Sequence, residues 1–265
     1  MALDDMDVYR NIVGLPGVKV IDNSFLSSYL VGEIENGVSN FKRLELESSL
    51  YDALEKFVDK RVTFPHGTLS EFKSLTQDIC KKIRSLNGII NNSSKNSPEY
   101  NETCEIWKSM GFLLRRRESI LEKILKKNPA ENYISSNKWQ TDILIAVTNV
   151  AEKCDVKQSY NKKHSLSLPQ IKCSLNDIYT FAKALEISRR DHVFLTTRDD
   201  TVIEMYQNFY RNLDSLVEKY QFDFPDYSVC LVSKSENGNL SVIEPLEDPK
   251  PLDREEIKRF YKTFS

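Results

Sequence analysis

The sequence predicts an α/β fold: a parallel β-sheet flanked by helices, with a helical insertion and a C-terminal hairpin. Three observations predict it. Short β-prone runs near Val18, Val62, Val193 and Tyr227 are separated by segments of helical period. Two of them, Val18–Ile21 and Val193–Thr197, run into an Asp and then into a helix-like pattern. Glu236-Asn237-Gly238-Asn239 is a turn signal between two further apolar runs. In an open parallel sheet the carboxyl ends of the strands are where sites form. Two neighbouring strands that each end in Asp would bring those carboxylates together.

Composition narrows the function classes. The chain has 265 residues, enough for one large domain or one domain with a substantial insertion. A hydrophobic share of 40% with 29% charged residues fits a globular, soluble chain. The formal net charge of -2 gives no global attraction to nucleic acid, so any such contact must use local basic patches. Five scattered cysteines without a CxxC pair, and three histidines far apart, suggest neither a disulfide framework nor a zinc site. No signal pattern and no apolar run of about 18 residues is present, which points away from a membrane and toward a reducing, cytoplasmic location.

Taken in order, Val18–Asp22 is the first strand and Phe25–Val31 a short helix. Phe41, Leu44, Leu46, Leu50, Leu54, Phe57 and Val58 mark an amphipathic helix. Arg61–Pro65 is a second short strand, and a helix runs from about Thr68 or Ser70 to Ile90. Asn91–Pro98 is polar and reads as a loop. Two further helices cover about Tyr100–Lys127 and Lys138–Cys154, and Trp107 and Trp139 fall at apolar helical positions expected in the core. Lys157–Lys172 is polar and reads as a long loop. Ser174 and Asp177 have the spacing of a capping box for a helix reaching about Ser188. The Val193 strand follows, then one helix to about Tyr220, the Tyr227–Val232 strand, its hairpin partner Leu240–Ile243, and a terminal helix from Asp253 to Phe264. Residues 1–92 and 173–235 are expected to form the α/β unit. Residues 93–172 are the helical insertion and loop, and 236–265 the hairpin and last helix.

Four acids fall at element junctions: Asp22, Glu71, Asp177 and Asp199. Three of them also have a plain structural role, Glu71 as an acid at a helix start, Asp177 in the capping box, and Asp199 (or its neighbour Asp200) as an N-cap. No Gly-rich phosphate loop, nucleophile elbow or dinucleotide fingerprint is present.

In this order the motifs resemble the PIN-domain nuclease family. The matching pieces are Val20-Ile21-Asp22-Asn23-Ser24, then Phe64-Pro65 with Leu69-Ser70-Glu71-Phe72. Asn176-Asp177-Ile178 with Ala182, Ala184 and Leu185 follows, and Phe194-Leu195-Thr196-Thr197-Arg198-Asp199 completes the set. The likeness covers about Val18–Ile90 and Ser174–Val232, and the segment Asn91–Lys172 departs from the family's compact form. It implies a metal-dependent ribonuclease with Mg²⁺ or Mn²⁺ held by Asp22, Glu71, Asp177 and Asp199. Asp200 would be an extra acid or the helix cap, and Ser24 and Thr197 supporting hydroxyls. Asp142, in Thr141-Asp142-Ile143, is an alternative third acid; it ranks below Asp177 because no Thr-x-Asp strand follows it.

Two carboxylates about 4 Å apart repel by roughly 4 kcal/mol at an effective dielectric near 20, so converging acids call for cations or protons. Hard oxygen donors suit Mg²⁺ or Mn²⁺, and such ions activate water for in-line attack on a phosphodiester. Candidate contacts to the RNA backbone are Arg198, Arg115, Arg116, Arg117, Lys162 and Lys163. The partner implied is RNA, with DNA as a further substrate class, and the insertion could dock a protein partner; a homo-oligomer stays open. The alternative is a catalytically silent PIN-like scaffold or binding module.

Overall fold

Strand Val193–Thr197 is buried along its whole length, and the structure is layered around it. The structure is a computed structural model that describes residues 11–12, 14–26, 62–95, 97–127, 138–154, 173–222, 228–234 and 240–264. Its elements are β1 (Val18–Ile21), α1 (Asn23–Leu26), β2 (Val62–Thr63), α2 (His66–Asn92), α3 (Pro98–Lys127), α4 (Lys138–Ala151), α5 (Leu175–Ile187), β3 (Val193–Thr197), α6 (Asp200–Arg211), α7 (Leu213–Tyr220), β4 (Val229–Lys234), β5 (Leu240–Ile243), β6 (Lys250–Pro251) and α8 (Arg254–Phe264). The expected helix over Phe41–Val58 lies outside the described residues, as do Lys162 and Lys163.

One six-stranded sheet runs in the order β2-β1-β3-β4-β5-β6. The first four strands are mutually parallel. The sheet is therefore mixed rather than parallel throughout, because the hairpin returns β5 antiparallel to β4 and β6 then adds antiparallel to β5. The hairpin was expected; that it extends the same sheet, and that Lys250–Pro251 forms an edge, was not. Strand periodicity sends alternate side chains to opposite faces. Ile21, Phe194, Cys230, Val232 and Val242 join a core with α2, α3 and α8. Val20, Val193, Leu195, Val229, Leu231 and Ile243 join a second core with α4, α5, α6 and α7. Burial on both faces explains why the strands read as continuous apolar runs rather than alternating ones. The helices between residues 93 and 154 thus thicken both layers.

Several boundaries differ from the sequence expectation. Helix α2 starts at His66 and runs on to Asn92, so the polar Asn91-Asn92 pair is its last turn rather than loop. The helix expected from Asp200 to Tyr220 is two, broken at Asn212, whose side-chain amide donates to Asn208 O at 2.7 Å. That local bond competes with the regular ladder. Trp107 is 39% exposed rather than in the core. The buried row of α3 is Met110, Leu113, Arg117 and Ile120, and Trp107 stands beside it. At the start of β1, Gly17 has φ +82°, and a Cβ there would lie 2.3 Å from His192 O. The same carbonyl accepts from Val18 N at 2.8 Å, so glycine lets β1 close onto the entry to β3. Among the described residues no helix is long and apolar enough to cross a membrane.

Arg117 corrects the sequence reading, which set it among nucleic-acid contacts. It is 1% exposed. Its Nε donates to Thr76 Oγ1 at 3.1 Å and its Nη2 to Phe72 O at 3.2 Å. Its guanidinium lies 4.0 Å above the Phe72 ring. A buried charge persists only when paired and hydrogen-bonded, and here it ties α3 to α2. Arg117→Ala is expected to cost about 2–4 kcal/mol through lost packing and lost hydrogen bonds. Urea unfolding checks this as a lowered midpoint at unchanged slope; an unchanged midpoint would contradict the buried tie.

Candidate active site at the carboxyl ends of β1 and β3

The chain leaves β1 toward β2 on one side and returns to β3 on the other. The crevice outside the carboxyl ends of β1 and β3 is therefore a topological switch point, the usual ligand position in such sheets. Asp22 follows β1 and Asp199 follows β3. Parallel register continues past β1, with Asp22 N donating to Thr196 O at 3.0 Å.

Asp22 is 4% exposed and heavily hydrogen-bonded. Its Oδ1 accepts from Asn23 N at 2.8 Å. Its Oδ2 accepts from Ser24 N at 3.3 Å, from Thr197 Oγ1 at 2.9 Å and from the Ser24 hydroxyl. The two hydroxyls are themselves held by main chain. Arg198 N donates to Ser24 Oγ at 3.0 Å, and Asp199 N donates to Thr197 Oγ1 at 3.0 Å. The network runs from amide to hydroxyl to carboxylate and locks the ends of β1 and β3 together. A carboxylate has about four lone-pair positions. Three donors crowd Oδ2, so Oδ1 is the oxygen with room for a further partner.

Asp199 is the N-cap of α6, its Oδ1 accepting from Thr201 N at 2.8 Å. Its other oxygen takes no hydrogen bond from the described residues. Asp200, by contrast, is exposed on the first turn of α6. Glu71 stands on the second turn of α2, whose start is tied to β1 by Thr68 Oγ1 donating to Ile21 O at 3.1 Å. Asn176 Nδ2 donates to Glu71 Oε1 at 2.5 Å. Gly67 makes this approach possible, since a Cβ there would come within 2.7 Å of Asn176 Oδ1. Asp177 completes a capping box on α5: its N donates to Ser174 Oγ at 3.2 Å, and Ser174 N donates to its Oδ2 at 3.1 Å.

The four acids share one electrostatic neighbourhood. Burial pushes the Asp22 carboxyl up; hydrogen bonds from Ser24 and Thr197 pull it back, and the charge of Asp199 raises it again. Burial likewise raises Glu71, against the Asn176 bond, with further upward pressure from Asp22 and Asp199. Asp177 is pushed up to about 7 by burial, then by Asp199 and Asp22. Glu71, on α2, and Asp177, on α5, thus both feel the two strand-end carboxylates; Asp142 lies on α4. Among the described residues no three His, Cys, Asp or Glu side chains stand together as a metal-holding group.

Of the other sequence candidates, Arg198 is half-buried beside Asp199. Arg115 is exposed on α3, and Arg116 stands 5.3 Å from the Phe112 ring centroid. Asn23, Gly67 and Asn176 were missed. Asn23 and Asn176 each adjoin a predicted acid, and Gly67 precedes Glu71 by one turn, but only the packing of α1 and α5 against α2 brings them to Glu71. No family model, no curated protein and no solved structure matches this chain.

The raised Asp177 carboxyl has a consequence for stability. Its native pKa near 7 lies above its ordinary value of 3.8, so the native state holds this proton more tightly than the unfolded chain. Between those values stability falls as pH rises. Asp177→Asn, which keeps an acceptor for Ser174 N, is expected to melt higher than the wild type at pH 8. The gap should narrow as pH falls toward 4. Thermal melts across that range check it; a pH-independent gap would mean that Asp177 is not held up by its neighbours.

Proposed function

We propose that this protein is a metal-dependent nuclease acting on RNA, with Asp22 and Asp199 as principal acids and Glu71 and Asp177 completing the site. One observation carries the reading. Asp22, Glu71, Asp177 and Asp199 come from separate parts of the chain to the switch point of the sheet, where Asp22, Glu71 and Asp177, raised first by burial, are raised further by neighbouring carboxylates. Acids that oppose one another's ionisation gain most from a bound cation. The donor set is all oxygen, which fits Mg²⁺ or Mn²⁺. The motif order shared with PIN-domain nucleases supports the same assignment, and a cytoplasmic location goes with it.

A bound ion would supply charge neutralisation and an activated water for in-line attack on a phosphodiester. The chain's own residues do the rest. Ser24 and Thr197 fix Asp22 through Oδ2, which leaves Oδ1 with Asn23 N as its hydrogen-bond donor. The α6 N-terminus fixes Asp199. Asn176 holds Glu71 at its position. Arg198, which directly follows β3, would contact a phosphate oxygen, with Arg115 and Arg116 on α3 as further backbone contacts.

A scaffold without chemistry is the second reading, favoured by a specific observation. Every acid already has a local structural partner, and the described residues contain no ready metal-holding group.

Cleavage of labelled single-stranded RNA with Mn²⁺ or Mg²⁺ separates the two. Asp199→Asn is the informative variant, because Asn caps a helix as well as Asp does and the fold is kept. Loss of activity by at least about a hundredfold in Asp199→Asn and Asp22→Asn, and with chelator, is expected. Equal cleavage by wild type and variants would assign it to another protein and refute the site. No cleavage by folded wild type, on RNA or matched DNA, would favour the scaffold.

A further inference from the structure

Two of the five cysteines meet in the core. Cys154 follows the end of α4, and Cys173 immediately precedes Ser174, the N-cap of α5. They are 0% and 1% exposed and belong to the same apolar cluster. Their thiols donate to successive carbonyls at the end of α4, Cys154 Sγ to Val150 O at 3.5 Å and Cys173 Sγ to Ala151 O at 3.7 Å. The two thiols are also hydrogen-bonded to each other. Cys230 lies on β4, and Cys80 and Cys104 on α2 and α3, in the opposite helical layer.

We propose that Cys154 and Cys173 are a cross-linkable thiol pair that a low-molecular-weight disulfide oxidises to an intramolecular disulfide, clamping the start of α5 to the end of α4. The chemistry is thiol–disulfide exchange. One cysteine thiolate attacks the small disulfide and expels one thiolate from it. The second cysteine then attacks the mixed disulfide at the protein sulfur and expels the other. The two cysteines lose two electrons and two protons, and the small disulfide becomes two thiols. Contact between the thiols supplies the proximity that disulfide geometry demands. Burial and the mutual thiol bond hold Cys173 in its protonated form, so the exchange is slow and proceeds when the local packing opens. The covalent ring encloses residues 155–172, and ring closure stabilises by restricting the unfolded chain. The clamp sits one residue before the cap that holds Asp177, so it also fixes the α5 end of the candidate site. The pairing itself does not depend on the nuclease reading.

The full-length protein is equilibrated across glutathione/glutathione disulfide ratios, quenched with N-ethylmaleimide, digested and mapped by mass spectrometry. The expected result is a cross-linked Cys154–Cys173 peptide that disappears on reduction, while Cys80, Cys104 and Cys230 are alkylated. Oxidation is expected to raise Tm by several degrees. Cys173→Ala should show neither change. A variant with Cys80→Ser, Cys104→Ser and Cys230→Ala, which keeps the pair, should show both. Alkylation of both cysteines at the most oxidising ratio would overturn the proposal, as would glutathione adducts alone or cross-links to other cysteines. A cross-link that leaves Tm unchanged or lowers it would overturn the clamp.

Discussion

The hydrogen-bonded seam between Asp22 and Thr197 is the constraint on which the rest of the candidate site depends. It joins the ends of β1 and β3, strands far apart in sequence and adjacent in the sheet. The seam holds because Ser24 and Thr197 each receive a main-chain proton and pass their own to Asp22. Chains of this kind strengthen one another in a low-dielectric interior. Remove the carboxylate and the hydroxyls of Ser24 and Thr197 lose their acceptor. Remove Thr197 and a nearly buried charge loses one of its few donors. The arrangement fixes where Asp199 emerges, and hence where α6 begins.

Around the seam, structure and chemistry compete for the same oxygens. Asp199 caps a helix, Asp177 closes a capping box, and Glu71 is held by Asn176. Such bonds stabilise the ionised form, while burial and like charge oppose it, and for Asp22, Glu71 and Asp177 the opposition wins. That unrelieved repulsion is the physical reason to read a cation site here, just as the local partners are the reason to weigh a scaffold.

Much of this was legible in the sequence. The two Asp-terminated strands stand adjacent and parallel, the alternation of strands and helices gives the three layers, and the expected hairpin strands β4 and β5 pair antiparallel. What escaped was set by long-range packing. Arg117 sits in an Arg-rich, outwardly solvated run, and only the docking of α3 on α2 turns it inward. Trp107 lies one position off the buried row of α3, a difference that hydrophobicity alone does not register. Asn176 and Gly67 gain their roles from the close approach of α5 to α2, and the Cys154–Cys173 contact joins positions that no spacing rule pairs. Local pattern reports element type; which faces meet is decided by tertiary contacts.

The most direct test of a cation site at the strand ends is paramagnetic broadening in the amide NMR spectrum of the folded protein during Mn²⁺ titration. Selective loss of the Asn23, Ser24, Arg198 and Thr201 signals at low Mn²⁺, weakened in Asp199→Asn, is the result predicted. Broadening spread evenly over exposed acids, or centred away from β1 and β3, would contradict it.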